Sequence, residues 1–156
     1  ELDISGANEG DEIFLRFNNY WVTSTQSWPI LDNVEIQVAG VDDPAGNRFG
    51  TGRKVSEKAL LTDLPRSFFT VLLKHRPLPD EESIGHFDLQ LSGHTHKGQI
   101  FPFTVLIDLM YPKSAGLMQF GAGSRLYVSR GSGTWGPPIR FLSAPEVTVI
   151  DLISAE

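Results

Sequence analysis

The apolar and polar positions fall into blocks that predict a chain built mostly of strands, with one clear helix. Glu12 to Phe17 and Tyr20 to Thr25 are rich in aromatic and β-branched residues, and Asn18-Asn19 between them predicts a tight hairpin. Val34-Glu35-Ile36-Gln37-Val38 alternates as a half-solvated strand does, then runs into Gly40-Val41-Asp42-Asp43-Pro44. Residues 44–52, with Pro44, Gly46, Asn47, Gly50 and Gly52, have the composition of a surface loop. Val55, Ala59, Leu60 and Leu64 lie at helical spacing, and Pro65 ends that pattern. Phe68 to Leu73 and Phe87 to Leu91 are near-continuous apolar runs, which suits strands buried on both faces. Residues 101–113, bracketed by Pro102 and Pro112, fit either a short helix or a packed loop. Gly116 to Phe120 and Leu126 to Ser129 read as a hairpin around Gly121-Ala122-Gly123-Ser124, followed by a Gly/Pro loop and a last strand over Val147 to Ile153. This order predicts an α/β fold of the mixed α+β kind.

Histidine placement adds candidate chemistry to that pattern. His94 and His96 follow the 87–91 run one residue apart, and His75 directly follows the 68–73 run. Neutral imidazole is a common ligand for zinc, iron and manganese. An i, i+2 pair in extended backbone sends both side chains to one side, and Gly93 before it permits close backbone approach. A third imidazole completes the minimum shell of a catalytic metal site. Two neighbouring strands delivering histidines at their carboxyl ends match the place where open α/β sheets bind ligands.

Composition narrows the function further. The chain has 156 residues, enough for one domain with a core, and a formal net charge of -6, which argues against a general nucleic-acid binder. The charge leaves room for a small phosphate ester, because a bound metal reverses the local potential. With no cysteine there is no disulfide, thiolate zinc site or cysteine nucleophile. No run is long enough to cross a membrane, and the acidic start Glu1-Leu2-Asp3 lacks the features of a signal peptide. The expectation is a chain that begins inside a longer reading frame or after processing.

Lesser candidates carry two readings each. Asp42 and Asp43 either reach the site as supporting groups or form an Asx turn before Pro44. Arg130 either meets a substrate phosphate or anchors its loop. Lys97 reads as an exposed cation able to steer an anion, Trp135 as a packing lid, and His86 as a surface or capping residue. Gln99 suggests no role.

Leu72-Leu73-Lys74-His75-Arg76-Pro77 and Asp88-Leu89-Gln90-Leu91-Ser92-Gly93-His94-Thr95-His96-Lys97-Gly98-Gln99-Ile100 together resemble the carboxyl half of a calcineurin-like metallophosphoesterase. Gly40-Val41-Asp42-Asp43-Pro44 and Tyr127-Val128-Ser129-Arg130-Gly131-Ser132-Gly133-Thr134-Trp135-Gly136-Pro137-Pro138 resemble its bacterial phosphohydrolase branch. The likeness covers about residues 30–153, which divides the chain into a poorly matched stretch (1–30) and a matched one (31–156). It implies part of a two-sheet sandwich flanked by helices, with two divalent metal ions (manganese, iron or zinc) and a phosphoester substrate. In that family pattern His75 and His94 hold one metal and His96 the other. Two metals roughly 3.5–4 Å apart bridge a hydroxide and stabilise in-line attack at phosphorus.

Three earlier blocks of the family are missing from the chain: Asp-x-His, Gly-Asp-x-x-Asp and Gly-Asn-His. Gly10-Asp11-Glu12-Ile13-Phe14 begins like the second and lacks its later aspartate. No catalytic residue is therefore assigned here. The expectation is a metal-dependent phosphoesterase whose dinuclear centre is incomplete in this chain. The alternative is an inactive fragment or metal-binding module that folds by self-association or with a missing amino-terminal half. Location is expected to be cytoplasmic, or at a membrane through a segment absent from this chain.

Overall fold

In a computed structural model the described residues are 13–17, 20–24, 36–43, 45 and 56–152. Strands β1 (Ile13–Phe17) and β2 (Tyr20–Ser24) pair antiparallel, with Phe17 opposite Tyr20, as the hairpin pattern predicts. The Asn18-Asn19 turn, Val55, the Gly10-Asp11 block and the 44–52 loop apart from Ala45 lie outside the described residues.

The remaining strands form one mixed sheet: β3 (Ile36–Val41), β4 (Phe69–Lys74), β5 (Leu89–Ser92), β7 (Arg125–Val128) and β6 (Gly116–Gln119), in the order β3-β4-β5-β7-β6. The first four run parallel, and β6 closes the far edge antiparallel to β7. A mixed α/β fold with a mostly parallel sheet is therefore the architecture. Among the described residues there is this sheet and the β1-β2 hairpin, so the second sheet of the expected sandwich is not seen there.

Alternation within β4 explains why its sequence is apolar almost throughout. Leu72 joins Ala39, Leu61 and Phe87 on one face, while Val71 joins Leu89 and Leu91 on the other. Helix α1 (Glu57–Thr62) covers the first face. Ser56 caps it by accepting the Ala59 N–H at 3.3 Å. The fully buried α1 residue is Leu61, with Leu60 and Leu64 packed beside it, whereas Ala59 is exposed. The expected apolar face is thus turned by one position. Glu57, also buried, is held by Lys74 Nζ at 2.5 Å, which ties the helix to the carboxyl end of β4.

The ambiguous 101–113 stretch contains helix α2 (Phe103–Met110), whose polarity is inverted. Thr104 and Ile107 are half-buried, and Asp108 bonds Lys97 and Ser114, whereas Val105, Leu106, Leu109 and Met110 are exposed. Polar hydrogen bonds, rather than an apolar stripe, seat this helix on the protein.

The predicted last strand is a correction. Among the described residues, 147–152 form no strand, although Val149 makes a β-bridge. Val147 and Val149 are exposed, Ile150 packs against the sheet, and the segment is held by side chains, with Thr148 Oγ1 3.1 Å from Tyr127 Oη.

Candidate metal centre

Parallel strands align their carboxyl ends, so residues just past β3, β4, β5 and β7 gather at one rim. Asp43 follows β3, His75 and Arg76 follow β4, His94 and His96 follow β5, and Arg130 follows β7. The rim is stitched by backbone: Gly93 N–H donates to His75 O at 3.1 Å, and Ser129 N–H to Ser92 O at 2.8 Å. Beneath it the buried Gln90 donates to Ser92 Oγ at 2.8 Å.

The loop past β5 is contorted. His94, His96, Lys97 and Gln99 have φ of 71°, 48°, 52° and 53°. Each left-handed L-residue costs roughly 1–2 kcal/mol, so the surroundings must hold this loop in place. The extended backbone expected of the pair is therefore overturned, and the two rings have different hydrogen-bond partners. His94 Nδ1 lies 2.9 Å from His75 Nε2, with the rings edge-on, while His96 Nδ1 lies 3.3 Å from Arg140 Nη2. Thr95 between them turns inward and donates to Ser114 O at 2.7 Å.

Electrostatics favour neutral imidazoles. Burial lowers the His75 pKa, and the neighbouring His94 adds to this against the pull of Asp43. Burial and then Arg76 lower that of His94, again opposed by Asp43. For His96 burial comes first and Arg140 second, partly offset by a hydrogen bond with the Gly133 backbone. Burial alone would raise the Asp43 pKa, but hydrogen bonds from Arg76 and the Ala45 N–H, with the charges of Arg76 and His75, leave it below its usual value. Asp43 thus stays ionised, gripped by Arg76 Nε and Nη2 at 3.0 and 3.2 Å, and acts on both histidines through its field.

Neutral imidazole is the form that ligates a metal. Two nitrogens 2.9 Å apart suit adjacent positions around one ion: at typical imidazole–metal distances of about 2.0–2.1 Å they subtend roughly 90°. His75 and His94 therefore fit a shared metal. Among the described residues, no three His, Asp or Glu side chains converge as a metal-binding group, so His96 is not drawn into that pair.

Other predicted roles change in the structure. Lys97 is tied to Asp108 at 2.6 Å and Ser114 Oγ at 2.9 Å instead of standing ready for an anion, because α2 brings Asp108 to it. Arg130 Nε faces Glu146 Oε2 at 3.4 Å. Trp135 is 76% exposed and packs as no lid; its backbone is what the protein holds. Gln99, which suggests no role in the sequence, is buried and does this holding: its Oε1 accepts the Trp135 N–H at 2.5 Å and its Nε2 donates to Trp135 O at 2.8 Å. His86 Nδ1 contacts Arg66 Nη2 at 2.7 Å. Arg140 is the residue that sequence reasoning passed over. Nothing in a lone arginine within Pro138-Ile139-Arg140-Phe141 signals that it reaches a histidine 44 positions earlier.

Comparison with known proteins gives a consistent set of relatives. An uncharacterized metallophosphoesterase of Aquifex aeolicus is 38% identical over 119 residues, covering 75% of this chain and 45% of its own length. One from Campylobacter jejuni is 37% identical over 152 residues, covering 94% and 38%. A bovine protein named as a transmembrane protein with a metallophosphoesterase domain is 38% identical over 128 residues, covering 80% and 29%. The chain spans less than half the length of these relatives. No family model matches it, and no solved structure does. Among the described residues no helix is long and apolar enough to cross a membrane.

Proposed function

Because the chain belongs to the metallophosphoesterase family, we propose that residues 31–156 carry part of a phosphoester-hydrolysing centre in which His75, His94 and His96 are metal ligands. The observation that supports this most is the approach of His75 Nε2 and His94 Nδ1, 2.9 Å apart at the carboxyl ends of adjacent parallel strands. His75 and His94 would hold one divalent ion and His96 a second, of manganese, iron or zinc. When bound, such a pair supplies Lewis acidity and a nucleophilic hydroxide at neutral pH. The chain's own contribution is to keep three imidazoles neutral and to orient two of them against each other. Asp43 offsets the cation of Arg76 beside that pair. Arg130, paired with Glu146, lies at the same rim and would meet a substrate phosphate by exchanging that partner. The substrate is a phosphoester, and the net charge of -6 argues against a general nucleic-acid role.

The test is hydrolysis of p-nitrophenyl phosphate by the full-length protein. Chelation should abolish it, manganese or zinc should restore it, and H94A should remove it in both conditions. Activity that survives chelation or H94A sinks the reading. One observation favours a second reading, a binding module that works by association. Among the described residues β3 pairs with β4 alone, and its exposed Ile36 and Val38 offer an apolar surface for another chain to cover. Metal binding without hydrolysis, in a self-associated or partner-bound state, would favour that reading. We also propose that membrane association, if it occurs, resides outside the described residues.

A further inference from the structure

A guanidinium stands beside the histidine pair with part of its donor set unused. Arg76 directly follows His75, just past the carboxyl end of β4. Its backbone is fixed: its carbonyl accepts from Gln90 Nε2 and from Ser92 Oγ, each at 3.4 Å, and the His75 carbonyl before it accepts the Gly93 N–H. Its side chain is fixed as well, because Asp43 accepts from Nε and Nη2 at 3.0 and 3.2 Å.

A guanidinium carries five N–H donors in one plane. The side-on grip of Asp43 takes the Nε proton and one Nη2 proton. The other Nη2 proton and both on Nη1 remain, and among the described residues nothing accepts from Nη1. One proton on each of Nη1 and Nη2 makes the end-on edge of the fork, whose spacing matches two oxygens of a phosphate. The side chain is 37% exposed, so an anion has access to it. Its neighbours belong to the metal rim: the Tyr111 ring lies edge-on to His94 with centroids 5.9 Å apart, and the Arg76 charge acts on Tyr111, His94 and His75. Arg130 has to leave Glu146 to take a phosphate, whereas Arg76 keeps Asp43 and is already oriented, which spares side-chain entropy on binding.

We propose that Arg76 is a phosphate-binding residue of this site: Asp43 holds its guanidinium side-on and leaves the Nη1–Nη2 edge as a fork for two oxygens of the phosphoester. The inference rests on the phosphoesterase reading of the rim, yet phosphate binding is measured without turnover. Full-length, zinc-loaded protein is titrated with inorganic phosphate by calorimetry. R76Q should weaken phosphate by roughly 10–100-fold, and R76K, which keeps the charge and loses the fork, should fall between. Zinc affinity is the second readout. Arg76 is a cation beside two imidazoles, so R76Q should hold zinc at least as tightly as the wild-type protein, whereas an arginine that only tethers β3 to β4 would lose zinc and phosphate together. Wild-type phosphate affinity in R76Q overturns the proposal, and so does a parallel loss of both ligands. In the wild-type protein, phosphate should protect Arg76 from phenylglyoxal while the exposed Arg125, at the amino end of β7, reacts at an unchanged rate. An Arg76 that reacts equally fast with and without phosphate overturns the proposal even where the variants do not fold. Arg76-dependent phosphate binding in a protein that hydrolyses no p-nitrophenyl phosphate would refute the hydrolytic reading while keeping the fork.

Discussion

The joint between the histidine loop and α2 can be tested at one atom. Gly98 has φ of +75°, and a Cβ placed there would lie 2.4 Å from Thr104 Cα, 2.5 Å from Thr104 N and 2.7 Å from Phe103 C. All three are backbone atoms of the first turn of α2, so no rotamer change relieves the clash. G98A therefore forces the loop and the helix apart. The left-handed backbone alone should cost roughly 1–2 kcal/mol for alanine. Overpacking a tight joint adds about 1–3 kcal/mol, for a total of roughly 2–5 kcal/mol. Gly123 provides the matched control: its φ is +83° and nothing lies within 4 Å of an added Cβ. G123A should then lose the backbone component of roughly 1–2 kcal/mol alone. Urea denaturation of both variants, analysed with a common m-value, isolates the steric component as their difference. Equal losses for G98A and G123A would refute the close joint. The Lys97–Asp108 and Thr95–Ser114 bonds span the same joint, so G98A should also loosen the loop that carries His94 and His96.

Two further outcomes follow from burial and charge. His75, His94 and His96 all titrate below the ordinary histidine value of 6.5 in the folded chain. The unfolded chain therefore takes up protons first as pH falls, and stability should decline from about pH 7 downward until the folded-state pKa values are passed. Urea midpoints of metal-free protein between pH 7 and 5 check this, and a midpoint that rises on acidification would contradict it. Leu61→Ala removes a side chain with 0% exposure from the α1–sheet contact. It should cost about 2–5 kcal/mol, whereas the exposed neighbour Ala59 should tolerate serine nearly without loss in the same assay.

What was legible in the sequence was what periodicity and strand order carry. Buried strands β4 and β5 announced themselves because both faces of each are covered, and His75 and His94 were legible because each follows such a strand directly. The one-residue turn of α1 was not legible. Leu60 and Leu61 are equally apolar, and only the packed sheet selects Leu61. Helix α2 was illegible for a stronger reason: its apolar residues point outward and its seating depends on Asp108 finding Lys97 and Ser114, a matter of tertiary contact. The orientation of the histidine pair failed on the same ground. A strand-like reading of Gly93 to His96 assumes relaxed backbone, and here φ is positive at both histidines.

That contortion has a consequence for how the site is built. Relaxed, extended backbone would aim both imidazoles at one point. The observed loop places His94 Nδ1 beside His75 Nε2 and His96 Nδ1 beside Arg140 Nη2. The loop holds positive φ at His94, His96, Lys97, Gly98 and Gln99, and the groups that hold it come from three directions. Ser114 fixes Thr95, Ser143 fixes the His96 carbonyl, and α2 closes on Gly98. None of these lies within the histidine motif itself. A variant that keeps Gly93-His94-Thr95-His96 intact and loses Ser143 should therefore bind zinc more weakly than the wild-type protein. Zinc titration of S143A would show this as a raised dissociation constant, and wild-type affinity would mean that the Ser143 bond does not hold the loop.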